Sequence, residues 1–422
     1  MKRKIIVLAA HDDGSGAHVV MTHVCRALLE VGRKAGENPL LLYHNSSNVG
    51  SKWAEPLMFD TSRGRRWKKW KAPGTWPKPA ELRRLDGIWF PTDNVLRFGK
   101  RSDGSLDVPA TRSMLNGVER RFPAWGAFMP DAIHDQVVLA IEMGVPQLAK
   151  WAHDRDVPTV SVGDMFWSRT LRHSLEGAGE YDRDVEAALN VIAGYERLTE
   201  EVWLLPLVAP REYVDYFGEL GIPLLMLPGL IGPRPGERDV RASRDVLKIK
   251  SEKLVVLGAG TTRVWSKLYR EMDDLVKKRG ADDFALLHPI EGGMLRLTDG
   301  KRQRDFKQTG GMLPYFLAAD LGVTRGGITM TEFVSCRLPF VVVQEPDHWL
   351  SRKQQAQMRE AGLCHSTCLS RLRKPRQAVD LSRRCLASSE NAGMVARMGT
   401  YPYSVEYNWA KYLIENRLKA FD

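Results

Sequence analysis

The stretch "AADLGVTRGGITMTEFVSCRLPFVVVQEPDHWLSRKQQAQMREAGL", Ala318 to Leu363, sets the terms for the rest of the chain. A short apolar strand leads through Gly326-Gly327 into a helix carrying Glu332 within its first two turns. A second apolar strand follows, then a loop and a helical segment holding Gln354-Gln355. Strand, glycine turn and helix in that order can hold phosphate. The glycines let the backbone approach, and the first helical amides and the helix dipole supply positive potential. A carboxylate so near a helix start either complements the dipole or, beside a phosphate-holding turn, accepts both hydroxyls of a ribose. The two glutamines either offer amides to sugar hydroxyls or decorate a solvated helix face.

The same recipe recurs upstream. "VLAAHDDGSGAHVV" passes through Gly14-Ser15-Gly16-Ala17-His18, and "VVLGAGTTRVW" carries Gly258, Gly260 and Thr261. Neither turn is the dinucleotide fingerprint G-x-G-x-x-G, and neither ends in the Lys-Ser/Thr of a P-loop. Around these turns apolar runs alternate with helical patterns: "KIIVLAA", "PLLLYHN", "TVSVGDMF" and "EVWLLPL", and later "KLVVLGAG", "FALLHP", "DLGVT" and "PFVVVQEP". That rhythm predicts an α/β chain whose parallel sheets are covered on both faces. Residues 232–250, rich in Pro, Gly and charge, read as a linker. The expected organisation is a domain over 1–231, a second over 251–402, and a helix at 403–422 that returns to the first.

Composition narrows the setting. The chain has 422 residues, 43% hydrophobic and 27% charged, with a formal net charge of +11. Such a chain can bury real cores in more than one domain. Its charge eases the approach of anionic partners. Five cysteines, odd in number and irregularly spaced, suit reduced thiols in the cytoplasm. The opening Lys2-Arg3-Lys4 and "IIVLAA" imitate a secretion signal, but the run is short of the ~7–15 apolar residues such a core needs, so it reads as the first buried strand. No run reaches the ~20 residues of a membrane span, and any membrane contact would be peripheral.

Taken together, these motifs resemble the nucleotide-sugar glycosyltransferases of the GT-B fold, with two doubly wound Rossmann-like domains. The enzyme family that adds N-acetylglucosamine to the lipid-linked muramyl peptide of peptidoglycan is the nearest likeness. Its G-T-G-G-H turn is matched by Gly14-Ser15-Gly16-Ala17-His18. Its G-A-x-T-x-x-E is matched by Gly326-Gly327-Ile328-Thr329-Met330-Thr331-Glu332, and its Q-Q pair by Gln354-Gln355. The likeness covers roughly 30 residues at the N-terminus and about 110 in the C-terminal half. The chain departs from it at His11-Asp12-Asp13 and in the Trp- and Lys-rich segment from Arg63 to Trp76.

The resemblance implies a C-terminal domain that binds a UDP-sugar as co-substrate, with no further cofactor. Glu332 would take the ribose hydroxyls. Gly258, Gly260 and Thr261, with Gly326, Gly327 and Thr329, would border the diphosphate, and Gln354 and Gln355 would read the hexose. Arg325, adjoining the glycine turn, either helps neutralise phosphate or is a surface arginine. The leaving diphosphate would be stabilised by amides already aimed at it, without a metal, and the resemblance suggests inversion. An acceptor hydroxyl must lose its proton as it attacks. His18 and Asp13 are the candidate bases, with Asp164, Asp347 and His348 behind them; His18 could equally donate to diphosphate or simply be packed.

"SRGRRWKKWKAPGTWPKP", Ser62 to Pro79, interleaves cations with tryptophans, and Arg65, Arg66, Trp67, Lys68 and Trp70 are its candidate acceptor-binding residues. It suits an anionic lipid surface or DNA, since phage enzymes that glycosylate modified bases also use this architecture. The alternatives are a small soluble acceptor or a basic loop whose tryptophans cover the domain edge. A UDP-sugar 2-epimerase and a non-catalytic binding module are the rival functions.

Overall fold

A computed structural model describes residues 3–11, 16–46, 67–69, 82–92, 96, 99, 101, 105–122, 131–163, 165–205, 207–227, 237–258, 263–279, 284–290, 294–307, 312–345, 349–372, 374–401 and 408–418. The chain divides into two compact units. One comprises Met1–Gly99, Asp107–Gly232 and Glu406–Asp422; the other comprises Lys100–Leu106 and Pro233–Val405.

The first unit runs β1 (Ile5–Ala10), α1 (Gly16–Lys34), β2 (Leu40–Ser46), β3 (Trp67–Lys69), β4 (Gly87–Thr92), α2 (Val108–Leu115), α3 (Val118–Arg121), a 3-10 turn (Asp131–Gln136) and β5 (Val137–Met143). It continues through α4 (Pro146–His153), β6 (Thr159–Gly163), α5 (Trp167–Gly177), α6 (Arg183–Glu196), β7 (Glu201–Leu204), α7 (Arg211–Glu219) and β8 (Leu224–Met226). Among the described residues eight strands pair in the order β3-β4-β2-β1-β5-β6-β7-β8, every pair parallel. Helices cover both faces of such a sheet, so β1 is buried along its whole length and reads as a continuous apolar run. Its Ile5, Val7 and Ala9 join Leu148 and Trp151 of α4 in one core. The C-terminal helix α15 (Asn408–Leu413), continued by a π-helical turn (Ile414–Leu418), packs on α1. Its Trp409 meets Trp203 of β7 edge to face at 5.9 Å.

In the second unit the elements are α8 (Glu237–Leu247), β9 (Leu254–Leu257), α9 (Arg263–Arg279), β10 (Ala285–Ile290), β11 (Met294–Asp299), β12 (Arg302–Lys307) and α10 (Leu313–Ala318). Then come β13 (Leu321–Thr324), α11 (Ile328–Ser335), β14 (Phe340–Gln344), α12 (Trp349–Glu360), β15 (His365–Cys368), α13 (Pro375–Leu386) and α14 (Glu390–Thr400). The sheet order is β12-β11-β10-β9-β13-β14-β15. It is parallel from β10 to β15, and a β11–β12 hairpin adds antiparallel strands at one edge. No helix among the described residues is long and apolar enough to cross a membrane.

Residues 232–250, expected as a linker, contain α8. A charged helix holds here because tertiary contacts anchor it: Arg244 donates to Ala318 O, Glu252 O and Asp320 Oδ2 at 2.9, 3.1 and 2.6 Å, and Leu247 is buried.

Two glycines bring α11 close to the sheet. Gly258 follows β9 and donates to Val323 O at 2.7 Å, while Gly322 lies in β13. A Cβ on Gly258 would stand 2.9 Å from Thr329 Cγ2, and one on Gly322 would stand 2.6 Å from the Phe333 ring. Helix α11 therefore rests its Thr329–Phe333 face on bare backbone. Phe333 is fully buried and held against Phe316 and Phe340, at centroid separations of 4.7 and 5.4 Å, so it has little room to retreat. Gly322→Ala should therefore destabilise the protein by about 2–3 kcal/mol, although Gly→Ala in open space stabilises. A lower urea midpoint is the expected readout; an unchanged or higher one would show that α11 can lift.

Candidate functional site

The second unit gathers several of the expected donor residues around the start of α11. Gly326 and Gly327 occupy positive φ, +123° and +73°, conformations that favour glycine. Gly326 N–H reaches Thr324 Oγ1 at 3.3 Å, and the Arg325 carbonyl accepts from Ser351 Oγ at 2.8 Å. The Gly327 N–H donates to Gln354 Oε1 at 2.9 Å. Gly327 is also the N-cap of α11 and contributes no capping side chain. The helix thus begins without its own cap, at the end where amides and dipole favour an anion.

Glu332 lies one turn further, 7% exposed. No hydrogen bond or ion pair reaches its carboxylate among the described residues, and burial alone pushes its pKa up to about 8. Buried carboxylates are ordinarily paired. A lone one, three residues along α11 from the Thr329 that packs on Gly258, is positioned to accept hydrogen bonds.

Both glutamines make hydrogen bonds to backbone groups of the chain. Gln354, 2% exposed, props the glycine turn through Gly327. Gln355 donates from Nε2 to Val342 O at 3.1 Å and to Thr367 O at 2.9 Å. It ties α12 to β14 and β15, and its amide nitrogen is spent on backbone carbonyls. Gln355→Ala should therefore cost about 2 kcal/mol of unfolding free energy, read as a fall in denaturation midpoint that is the same with and without donor. A loss confined to donor affinity would restore the sugar-reading role.

Arg325 was expected to face phosphate or solvent. Its side chain is 23% exposed, with Nη1 3.6 Å from Oε1 of Glu345, which is 2% exposed. The same Glu345 oxygen accepts from Trp265 Nε1 at 3.0 Å. This buried acid closing β14 was not anticipated. The signal was a carboxylate at the carboxyl end of an apolar parallel strand, where such sheets place ligand-facing groups.

In the first unit the expected base is placed differently. His18 lies in the first turn of α1 with no exposed surface, its Nδ1 2.6 Å from Tyr43 Oη and its ring edge-on to that of Tyr43. The ring thus joins α1 to β2 through Tyr43. Gly16 opens α1. Asp13, Gly14, Asp164, Gly260, Thr261, Asp347 and His348 lie outside the described residues, as do Arg65, Arg66 and Trp70.

Trp67 and Lys68 form part of the edge strand β3, in parallel register with Gly87 and Ile88 of β4. The Trp67 ring sits over Gly87, where a Cβ would come within 2.4 Å of it. Trp67 therefore packs over the sheet edge.

No family model and no curated protein matches the chain. Solved structures do. CalG4, the calicheamicin glycosyltransferase, aligns over 100% of both chains with a TM-score of 0.55 and 15% identity. UGT89C1 of Arabidopsis thaliana, complexed with UDP, aligns over 99% of both with a TM-score of 0.56 and 11% identity. A UGT transferase of Siraitia grosvenorii in complex with UDP also covers 99% of both, with a TM-score of 0.54 and 12% identity. The fold is GT-B. At such low identity the likeness extends to the fold alone. Glu332 and the positive-φ glycines stand in the second α/β unit of this GT-B chain.

Proposed function

We propose that the chain is a glycosyltransferase that moves a hexose or N-acetylhexosamine from a UDP-sugar to an acceptor hydroxyl, without a metal and with inversion. The observation that carries this reading is Glu332: a buried carboxylate with no partner among the described residues, on the helix that follows Gly326-Gly327. In the proposed complex Glu332 accepts the two ribose hydroxyls. The diphosphate lies against the amides at the start of α11, where its negative charge is matched before reaction and more strongly as the sugar leaves. The acceptor oxygen attacks the anomeric carbon, the bond to UDP breaks, and the hydroxyl proton passes to a base.

The peptidoglycan-type acceptor rests on the motifs at Gly14–His18 and Glu332–Gln355. A small soluble acceptor is the second reading, supported by the seating of Trp67 on Gly87, which takes one tryptophan out of the basic segment's exposed surface. The function is tested by incubating the protein with UDP-glucose and UDP-N-acetylglucosamine and following UDP release across a panel of lipid-linked, soluble and DNA acceptors. UDP release that rises with one acceptor supports transfer. Conversion of the donor alone to an isomer would mean an epimerase, and no turnover of either donor would contradict the proposal.

A further inference from the structure

The first unit carries a second polar pocket that the proposed transfer does not use. It lies between α5, α6 and α7, holds about 130 Å³, and is lined by Arg169, Arg172, Asn190, Arg197 and Tyr216. At about 30 Å³ per water that is room for a group some four waters in size, the scale of a tetrahedral oxyanion.

The chemistry of the lining is one-sided. Arg169, Arg172 and Arg197 form no salt bridge with any carboxylate among the described residues. Two of them are fixed by aromatic rings instead: Arg169 Cζ stands 4.0 Å from the Tyr216 ring centroid and Arg172 Cζ 5.2 Å from that of Tyr181. Stacking on a ring face holds a guanidinium by its plane and leaves its in-plane N–H donors available. Glu196, beside Tyr216, is already committed. It accepts from Ser168 N at 3.2 Å and from Ser168 Oγ, capping the start of α5.

A second observation points into the same pocket. Tyr216 is 4% exposed; its hydroxyl oxygen faces the Arg197 guanidinium as an acceptor, and its own proton meets no acceptor among the described residues. Buried hydroxyls nearly always place their proton, and one that accepts from a guanidinium among three cations calls for an acceptor from outside the chain. An ordinary water would satisfy the hydroxyl but leave three like charges together. A phosphoryl group answers both needs, because its oxygens accept from guanidinium and phenol alike.

We infer that this pocket binds a phosphoryl group, either free phosphate or the phosphomonoester of a small molecule. The pocket belongs to the first unit and Glu332 to the second, and the inference does not depend on the donor reading.

The test is isothermal titration of the full chain at low ionic strength with inorganic phosphate and, separately, a hexose 6-phosphate. Saturable one-to-one binding is expected, weakened at least tenfold in Arg172→Gln and in Arg197→Gln and about threefold in Tyr216→Phe, but unchanged in Arg270→Gln, a surface control on α9. A hexose phosphate that binds tenfold tighter than phosphate assigns the site to a phosphomonoester; equal affinities assign it to free phosphate. Absent or non-saturable binding of both probes, or equal weakening by Arg270→Gln, would overturn the inference. Tyr216→Phe removes a single oxygen, so a folded variant with undiminished affinity would also count against it.

Discussion

Glu332→Gln is expected to make the protein more stable at pH 8.5 and unable to bind UDP. Burial lifts the Glu332 carboxyl from its ordinary 4.5 to about 8, so the folded chain holds a proton that the unfolded chain has already released. Below pH 4.5 both states are protonated and the group is neutral to folding. Between pH 4.5 and 8 stability falls as pH rises, because the folded state binds more protons. Above 8 the full penalty stands, on the order of 5 kcal/mol at 1.36 kcal/mol per unit. Glutamine removes the titration but still buries an amide without a partner, so the expected gain at pH 8.5 is about 2 kcal/mol, vanishing near pH 4.

The functional cost runs the other way. Two charge-assisted hydrogen bonds from ribose, at about 1.5–3 kcal/mol each, amount to a loss of UDP affinity of 100-fold or more. Melting curves across pH and titration with UDP together check both halves. A variant that binds UDP normally would separate the carboxylate from the donor, and one whose stability follows the native pH dependence would show that Glu332 titrates normally.

Asp273→Ala should cost about 3–5 kcal/mol, the usual penalty for breaking a buried pair from one side. Asp273 of α9 and His288 of β10 are 2% and 1% exposed and meet at 2.7 Å. Asp273 Oδ1 also accepts from Thr298 Oγ1 of β11 at 2.6 Å. Alanine leaves the imidazole and the hydroxyl buried without their acceptor, and with them the link between the helix, the parallel sheet and the hairpin. The expected readout is a lower urea midpoint with unchanged slope, and faster amide exchange in β10 and β11. Asp273→Asn, which keeps the shape and one acceptor oxygen, should lose less. A loss below about 1 kcal/mol for alanine would show that the hairpin is held by its ladder alone.

The central strands were legible because a parallel sheet buried on both faces leaves no polar residue in them. Ile5–Ala10 and Leu254–Leu257 are apolar for that reason, and Phe340–Gln344 is apolar up to its half-buried last residue. Edge strands do not carry the signal: β12 is "RQRDFK", exposed at five of six positions, and looks like a charged loop. Its turn was nevertheless marked by a glycine: Asp299 pairs with Arg302, and Gly300 opens the two-residue loop at φ +58°, the conformation that tight hairpins need. Helix α8 was hidden by its charge, since what holds it is Arg244 reaching Asp320, a contact 76 residues away in sequence.

The site was legible in part. Gly326, Gly327 and Glu332 announce themselves by type and spacing, because φ > 0 and a carboxylate near a helix start are local properties. Whether His18 meets a ligand or Tyr43, and whether Gln355 faces a sugar or two carbonyls, depends on the neighbours that folding supplies. A pattern of residue types carries no such information, so the contacts of His18, Gln355 and Trp67 were not legible in it.

The account's central claim is that Glu332 and the turn before it hold the nucleotide. Co-crystallisation with UDP tests this most directly. The expected result is a uridine ribose whose two hydroxyls lie within about 3 Å of the Glu332 carboxylate, with the diphosphate against the first amides of α11. A nucleotide bound elsewhere in the chain, with Glu332 still buried and unpartnered, would contradict it.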